Sequence, residues 1–204
     1  SADVRRLEKA RLALGDDFGI AVDANQAWDA DTAFEFAKAA APYNVEWFEE
    51  PVHAFDMEAL RSLRDQMDNA GISMEIAMGE SVRSYHAHVD YAEHGVDHLQ
   101  PARLYCLAEI IRVRDYAHQH NCRISTGGFP FINATLGALY SENELLEFHQ
   151  PLNEVLITYF KVVSQIKDGR FYLPDIPGIP VQLDFDHLET DGLLRGIQYY
   201  YRKK

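Results

Sequence analysis

The chain has 204 residues, of which 47% are hydrophobic, and its 32 acidic side chains against 19 basic ones give a formal net charge of −13. That length supports one sizeable core, while the acidic balance excludes nucleic acid as a partner, since phosphates need a basic footprint. Two cysteines, Cys106 and Cys122, are too few for a disulfide framework and read as reduced thiols; no apolar stretch approaches the ~20 residues of a membrane span, so no membrane role is expected and a cytoplasmic location is.

Asp3 is placed to cap a helix whose apolar positions Val4, Leu7, Ala10 and Leu14 follow helical spacing, with Gly15 as the stop. The strand "GIAVDAN" follows, then a helix over about 31–41 that ends at Pro42. "VEWFEEP" is a strand closed by Pro51, and Met57 to Asn69 a helix with Gly71 behind it. "ISMEIAMGE" leads to a helix over about 84–93, closed by Gly95. "DHLQPA" precedes a long helix over about 107–120, "CRISTGG" a helix from about Asn133 to Tyr140, and "ELLEFH" is the last strand of the series. Such alternation with short turns predicts one parallel sheet, an α/β fold. From about Asn153 the alternation stops. "VLITYFKVV", "GRFYLPD" and "PVQLD" read as short strands, with a turn at Asp168–Gly169.

Three strands end on a carboxylate: Asp23 in "IAVDANQAW", Glu49 in "VEWFEEP" and Glu80 in "MEIAMGES", 26 and 31 residues apart. In a (β/α) barrel the C-terminal strand ends are where chemistry is built. Three converging carboxylates need a cation, and an all-oxygen ligand set suits Mg²⁺. Strand alternation predicts that Asn25 shares a face with Asp23, Trp47 and Val45 with Glu49, Met78 and Ile76 with Glu80, and Leu145 and His149 with Glu147.

"VDANQ", "WFEEP", "GES" and "LLEFH", in order and at barrel spacing, with "KDGRFYLPDIPGIPVQLD" behind them, resemble the C-terminal barrel domain of the enolase superfamily, in particular its mandelate racemase and muconate-lactonising branch. The resemblance implies a TIM-like (β/α) barrel that lacks its first βα units and the N-terminal capping domain, with residues 1–152 as a partial barrel and 153–204 as the closing segment of the same domain. A natural shorter variant is the alternative to a fragment. It also implies Mg²⁺ on Asp23, Glu49 and Glu80, substrate contact by Asn25, and an acid or hydrogen-bond donor at Glu147. Glu50 is expected to face the helix layer in a supporting role. If the capping domain is absent, Tyr159, Phe160, Phe171 and Tyr172 are left exposed, and self-association into a homo-oligomer is expected.

The departures are as informative. The mandelate racemase-like branch carries a base dyad, an Asp on barrel strand six and a His on strand seven; here Ala102 and Gly127 stand at those positions, and the lysine of the muconate-lactonising branch is missing as well. His149 is the substitute base considered for the mouth, and Arg103 with Tyr105 the candidates for an acidic substrate. His98 reads as a buried, hydrogen-bonded side chain. The His86/His88 and His118/His120 pairs, two apart on helices, do not share a face and are not expected to bind zinc. The reading that follows from the resemblance is α-proton abstraction from a carboxylate substrate with stabilisation of the enediolate, most naturally by an acid-sugar dehydratase. Racemisation or epimerisation needs a base on each face. The rivals are a catalytically silent barrel that keeps its metal, and an isolated interaction fragment.

Overall fold

In this computed structural model the described residues are 1–102, 106–128 and 130–198. Six strands follow chain order across one sheet: β1 (Ile20–Asp23), β2 (Val45–Glu49), β3 (Glu75–Met78), β4 (His98–Leu99), β5 (Arg123–Thr126) and β6 (Leu145–Leu146). Every pairing is parallel. The sheet curls into a half-barrel with β1 and β6 at its edges. Helices α1 (Ala2–Leu14), α2 (Ala30–Ala40), α3 (Met57–Asn69), α4 (Tyr85–Glu93), α5 (Leu107–Gln119) and α6 (Pro130–Gly137) precede or connect the strands. An incomplete (β/α) barrel is the architecture.

Local chemistry sets the helix starts. Asp29, Asp56 and Ser84 cap α2, α3 and α4 by accepting from the N–H of Thr32, Ala59 and Ala87, each meeting one of the donors that a helix start leaves unpaired. Helix α1 is capped by Ser1, whose Oγ accepts from Val4 N–H, rather than by Asp3. Asp3 lies inside the first turn and pairs with Arg6. Helix α6 begins at Pro130, earlier than the Asn133 expected; proline's fixed φ suits a first turn. Of the stretch expected as the strand "VLITYFKVV", Val155 and Leu156 instead close α7 (Gln150–Leu156), a 3₁₀ turn covers Ile157–Tyr159, and only Phe160–Val162 is a strand, β7. Pro151 in the first turn of α7 favours the helix for the same reason. Strands β8 (Gln165–Lys167) and β9 (Arg170–Tyr172) form the hairpin anticipated at Asp168–Gly169, where both turn residues have positive φ, 51° and 72°, as a two-residue hairpin requires. Strand β10 (Gln182–Leu183) pairs antiparallel with β7, and α8 (Phe185–Thr190) follows. Of the aromatics expected to be left open, Tyr172 is half exposed. Phe160 packs on Phe131, and Phe171 on Phe148.

The main core lies between the sheet's outer face and the helices. Phe48, Ile76, Met78, Leu99 and Ile124 from the strands meet Phe36, Leu60, Leu63, Met67, Tyr91, Ile110 and Val113 from the helices. Phe36, Phe48 and Trp28 form a three-ring cluster with centroids 5.1 to 5.8 Å apart. The inner face is more polar and carries Trp47, Glu75, His98 and Ser125. Val45 departs from expectation: it joins the outer core, because the β1–β2 register shifts between Ile20 and Ala21 and leaves Glu46 as an extra residue on β2. A bulge of that kind reverses the alternation beyond it.

Arg11 ties the front of the domain together. It is 8% exposed, and its guanidinium donates to the carbonyls of Gly15, Phe18, Tyr43 and Asn44. That fixes the loop entering β1 to the loop entering β2. We expect Phe48→Ala to cost about 3–5 kcal/mol of stability, the usual range for truncating a fully buried phenylalanine, measured as a lowered midpoint in urea; a loss below about 1 kcal/mol would show that the ring cluster does not hold the sheet to its helices.

Candidate metal centre

Parallel pairing places Asp23 beside Glu49 and Glu49 beside Ala77, with neighbouring strands about 4.8 Å apart. Two of the predicted carboxylates therefore stand side by side at the C-terminal rim. Glu80 arrives differently from the expectation. Ile76 and Met78 belong to the outer core, so strict alternation would have sent Glu80 into the helix layer with them. Gly79 breaks the alternation with φ 142°. A Cβ there would lie 2.6 Å from the Gln100 carbonyl oxygen, so the close approach to β4 requires glycine. Beyond it Glu80 turns into a cavity of about 290 Å³, lined also by Trp47, Glu49, Gln100, Ser125 and Glu147.

The carboxylates are held by neighbours. Asp23 accepts from the Asn25 backbone N–H at 2.7 Å and from its side-chain amide at 2.5 Å; Asn25 is thus folded onto Asp23. Glu49 Oε2 accepts from Gln100 Nε2 at 2.8 Å and Trp47 Nε1 at 3.2 Å. Desolvation pushes the Asp23 carboxyl above its ordinary range, helped by the charges of Glu80 and Glu147 and opposed by Asn25. Desolvation likewise raises Glu49, with Asp23 and Glu147 adding to it. Glu50 turns away from the mouth, as expected, and is 3% exposed; burial is the first cause of its raised pKa.

These features fit a hard divalent cation in kind. The donors are all oxygen, they come from adjacent strand ends, and the charges of Glu80 and Glu147 add to the raised pKa of Asp23, a repulsion that a cation would relieve. Among the described residues, no three His, Cys, Asp or Glu side chains are gathered into a ready-made metal cage. Like charges held at separate strand ends repel, and the fit requires their side chains to turn toward a common point.

Glu147 stands across the cavity from β1. Its backbone N–H donates to Thr126 O, and its Oε2 accepts from Gly128 N–H at 2.9 Å. Ala102 and Gly127 line the same cavity. A Cβ built on Gly127 would lie 2.7 Å from Glu147 Oε2, so the glutamate carboxylate occupies the space a side chain at 127 would take. His149 is not brought to this group. It is exposed at the start of α7, where its carbonyl accepts from Asn153. Arg103 and Tyr105 lie outside the described residues. Beneath the mouth, His98 is buried, with Nε2 2.7 Å from Ser125 Oγ and its ring edge-on to Trp47; Nδ1 has no partner among the described residues. His88 bonds the Ser84 carbonyl, and His118 pairs with Glu144.

Sequence reasoning missed Gln100 and Trp47 as donors to Glu49. The signal was present in the alternation of β4, where Gln100 follows His98 by two. It also missed Gln26, which bonds Glu50 and Ser81.

His98 generates a pH prediction. Desolvation, with the nearby Arg123 charge second, lowers its pKa from 6.5 to about 3. The unfolded chain takes up a proton on this ring below about pH 6.5, and the folded chain does so only near 3. The neutral ring's contribution is therefore fully present above about 6.5 and is lost progressively as pH falls toward 3. We expect His98→Gln to flatten the decline in unfolding free energy over that window; profiles with the same slope for both proteins would remove His98 as a cause.

The family model described as "Enolase C-terminal domain-like" matches residues 1–187. Among curated relatives, the L-talarate/galactarate dehydratase of Salmonella typhimurium is 31% identical over 180 residues, covering 87% of this chain and 43% of that protein. The D-galactarolactone cycloisomerase of Agrobacterium fabrum is 26% identical over 202 residues, covering 91% and 52%. Among solved structures, a racemase from Streptomyces coelicolor with bound magnesium superposes with a TM-score of 0.80 at 26% identity, covering 93% of this chain and 51% of that one. An L-talarate dehydratase from Polaromonas complexed with Mg and L-glucarate gives 0.78 at 28%, covering 96% and 52%. The chain spans about half the length of the curated relatives it matches. With the half-barrel, the strand-end carboxylates and the family match over residues 1–187 in agreement, this chain belongs to the enolase superfamily, as part of its C-terminal barrel domain.

Proposed function

We propose that this chain is the barrel portion of a Mg²⁺-dependent enzyme that removes the α-proton of a carboxylate substrate, and that the substrate is an acid sugar which undergoes dehydration. The observation that carries the reading is the pairing of Asp23 with Glu49 across β1 and β2, with Glu80 turned into the same mouth by Gly79. Asp23, Glu49 and Glu80 would hold the ion. When bound, it supplies a positive charge that anchors the substrate carboxylate and offsets the charge that grows as the α-proton leaves.

The remaining roles belong to the chain's own side chains. Asn25 orients Asp23 through two hydrogen bonds and contacts substrate at the rim. Glu147, fixed by the Gly128 N–H, faces the ion's side of the cavity and donates a proton to the departing hydroxyl or a hydrogen bond to the substrate carboxylate. Arg103 pairs with an acidic group of the substrate. The α-proton needs an acceptor: a lysine on the second barrel strand would take it, or His149, which would have to turn inward to do so. Dehydration needs one base and one acid, which suits a mouth with Ala102 and Gly127 at the dyad positions better than racemisation does. Relatives named as dehydratases and as cycloisomerases support the class. The 1–152 and 153–204 division, cytoplasmic location and self-association complete the proposal. No helix among the described residues is long and apolar enough to cross a membrane, and exposed Leu152, Val155, Ile179 and Phe185 offer apolar surface for a second copy.

The same two positions favour a second reading, a barrel that binds metal without catalysing. Two measurements separate the readings. Calorimetric titration is expected to show Mg²⁺ uptake by the parent and to lose it in Glu49→Gln; equal binding by both would sink the three-carboxylate site. Proton NMR in D₂O is expected to show α-deuterium entering an acid sugar such as galactarate, and dehydration of that sugar about 10²-fold slower in Glu147→Gln, the lower range for removing an acid–base group. Metal uptake with no exchange on any acid sugar tried would favour the silent barrel.

A further inference from the structure

One side chain joins the turns that follow the three acidic strand ends. Gln26 lies three residues past Asp23, Glu50 one past Glu49 and Ser81 one past Glu80. Gln26 Nε2 donates to Glu50 Oε2 at 2.9 Å and to Ser81 Oγ at 2.7 Å. Its Oε1 accepts from the Ala54 N–H at 2.9 Å. The amide thus meets two acceptors with its nitrogen and a donor with its oxygen, and a flipped amide would set oxygen against the Glu50 carboxylate and N–H against the Ala54 N–H, with only the Ser81 hydroxyl able to reverse its role.

The backbone runs through the same junction. Ala24 N–H donates to Glu49 O at 3.0 Å, Gln26 N–H to Glu50 O at 2.8 Å, and Glu50 N–H to Ala77 O at 2.9 Å. Asn25, Gln26 and Glu50 have positive φ, 47°, 63° and 39°. Each such non-glycine conformation is strained and persists only where surrounding contacts over-determine it. Glu50 adds an electrostatic cost, since it is buried and feels the charges of Glu80 and Asp23. An apolar side chain would fill the same volume without that cost. The carboxylate supplies instead an acceptor that fixes Gln26, and the Ser81 hydroxyl stabilises the carboxylate in turn.

We propose that Gln26 is a positioning residue for the metal centre: through Glu50 and Ser81 it locks the turns after β1, β2 and β3 in one register, so that Asp23, Glu49 and Glu80 need turn only their side chains to meet a shared ion. It touches neither ion nor substrate. The inference rests on the Mg²⁺ site described under the proposed function, and it adds a requirement that the three ligands alone do not impose.

The test pairs Mg²⁺ calorimetry with amide hydrogen exchange on the intact parent, Gln26→Ala, Ser81→Ala and Ser81→Thr, with melting in EDTA as the check on folding. Gln26→Ala is expected to weaken Mg²⁺ binding by about 10- to 100-fold, the range for residues that orient metal ligands, and to speed exchange in the turns over 24–27 and 79–82 together. Ser81→Ala is expected to weaken binding in the same direction, and Ser81→Thr, which keeps the hydroxyl, to restore it; this rescue is one that general destabilisation would not produce. If Gln26→Ala fails to fold, the Ser81 pair decides. Binding by Gln26→Ala as tight as the parent's, or equal loss in Ser81→Ala and Ser81→Thr, overturns the proposal. If the parent takes up no Mg²⁺, the metal reading fails separately and exchange decides this one: faster exchange in both turns upholds the tie, and exchange that changes only at Ala54 overturns it.

Discussion

The parallel register of β1, β2 and β3 is the constraint on which everything at the mouth depends. Side chains alternate across a strand, so a slip of one residue would turn Glu49 into the helix layer and drive Phe48 into the cavity. Phe48 prevents that slip. It is fully buried against Phe36 and Trp28, and its burial on the outer face forces Trp47 and Glu49 onto the inner one. The core and the candidate site are therefore one decision made on one strand. The bulge at Glu46 serves the same end, since it lets Val45 and Phe48 both face outward while Trp47 and Glu49 face in.

That arrangement carries an electrostatic cost. Asp23, Glu49 and Glu50 all have carboxyl pKa values raised first by desolvation and then by one another or by Glu80 and Glu147. Left to themselves, such groups weaken the folded state at neutral pH, because ionisation is less favourable there than in the unfolded chain. The structure answers with fixed donors at each one: Asn25 on Asp23, Gln100 and Trp47 on Glu49, Gln26 on Glu50. Donors of this kind offset charge without removing it. Backbone strain at Asn25, Gln26 and Glu50 is concentrated in the same few residues, while the helices behind them are conventionally capped.

Much of this was legible in the chain. Strand and helix order, the parallel sheet and the three carboxylates follow from alternation, caps and spacing, because those signals are local. What was illegible depended on single backbone departures. Glu80 reaches the mouth only because Gly79 departs from strand geometry, and a glycine in sequence does not announce its φ. Val45 faces outward because of one extra residue on β2, which no periodicity reveals. The apolar run from Val155 reads as a strand throughout, whereas its first two residues close α7, a helix that Pro151 favours in its first turn. Gln26 and Gln100 were passed over because an amide's role lies entirely in its partners, two of which are more than 50 residues away from it or from its acceptor.

The two walls of the mouth divide the work. Negative charge that would fix a cation stands on β1, β2 and the turn after β3, whereas Glu147 rises from the β6 side and is held by the Gly128 amide. Ala102 and Gly127 lie on that second wall with it. A change of base residues there leaves the pairing of Asp23 with Glu49 untouched, since no hydrogen bond described for those two carboxylates comes from residues 102 or 127. Proton handling can therefore diverge while ion binding is kept, because the first depends on side chains at a few rim positions and the second on the register of the sheet. Glu147 is the point where the divergence becomes a physical substitution: its carboxylate fills the volume that a side chain at 127 would need, so a base at 127 and Glu147 in this position exclude each other. The mouth is therefore asymmetric: three carboxylates stand on the wall of β1, β2 and the turn after β3, and one, Glu147, on the wall opposite.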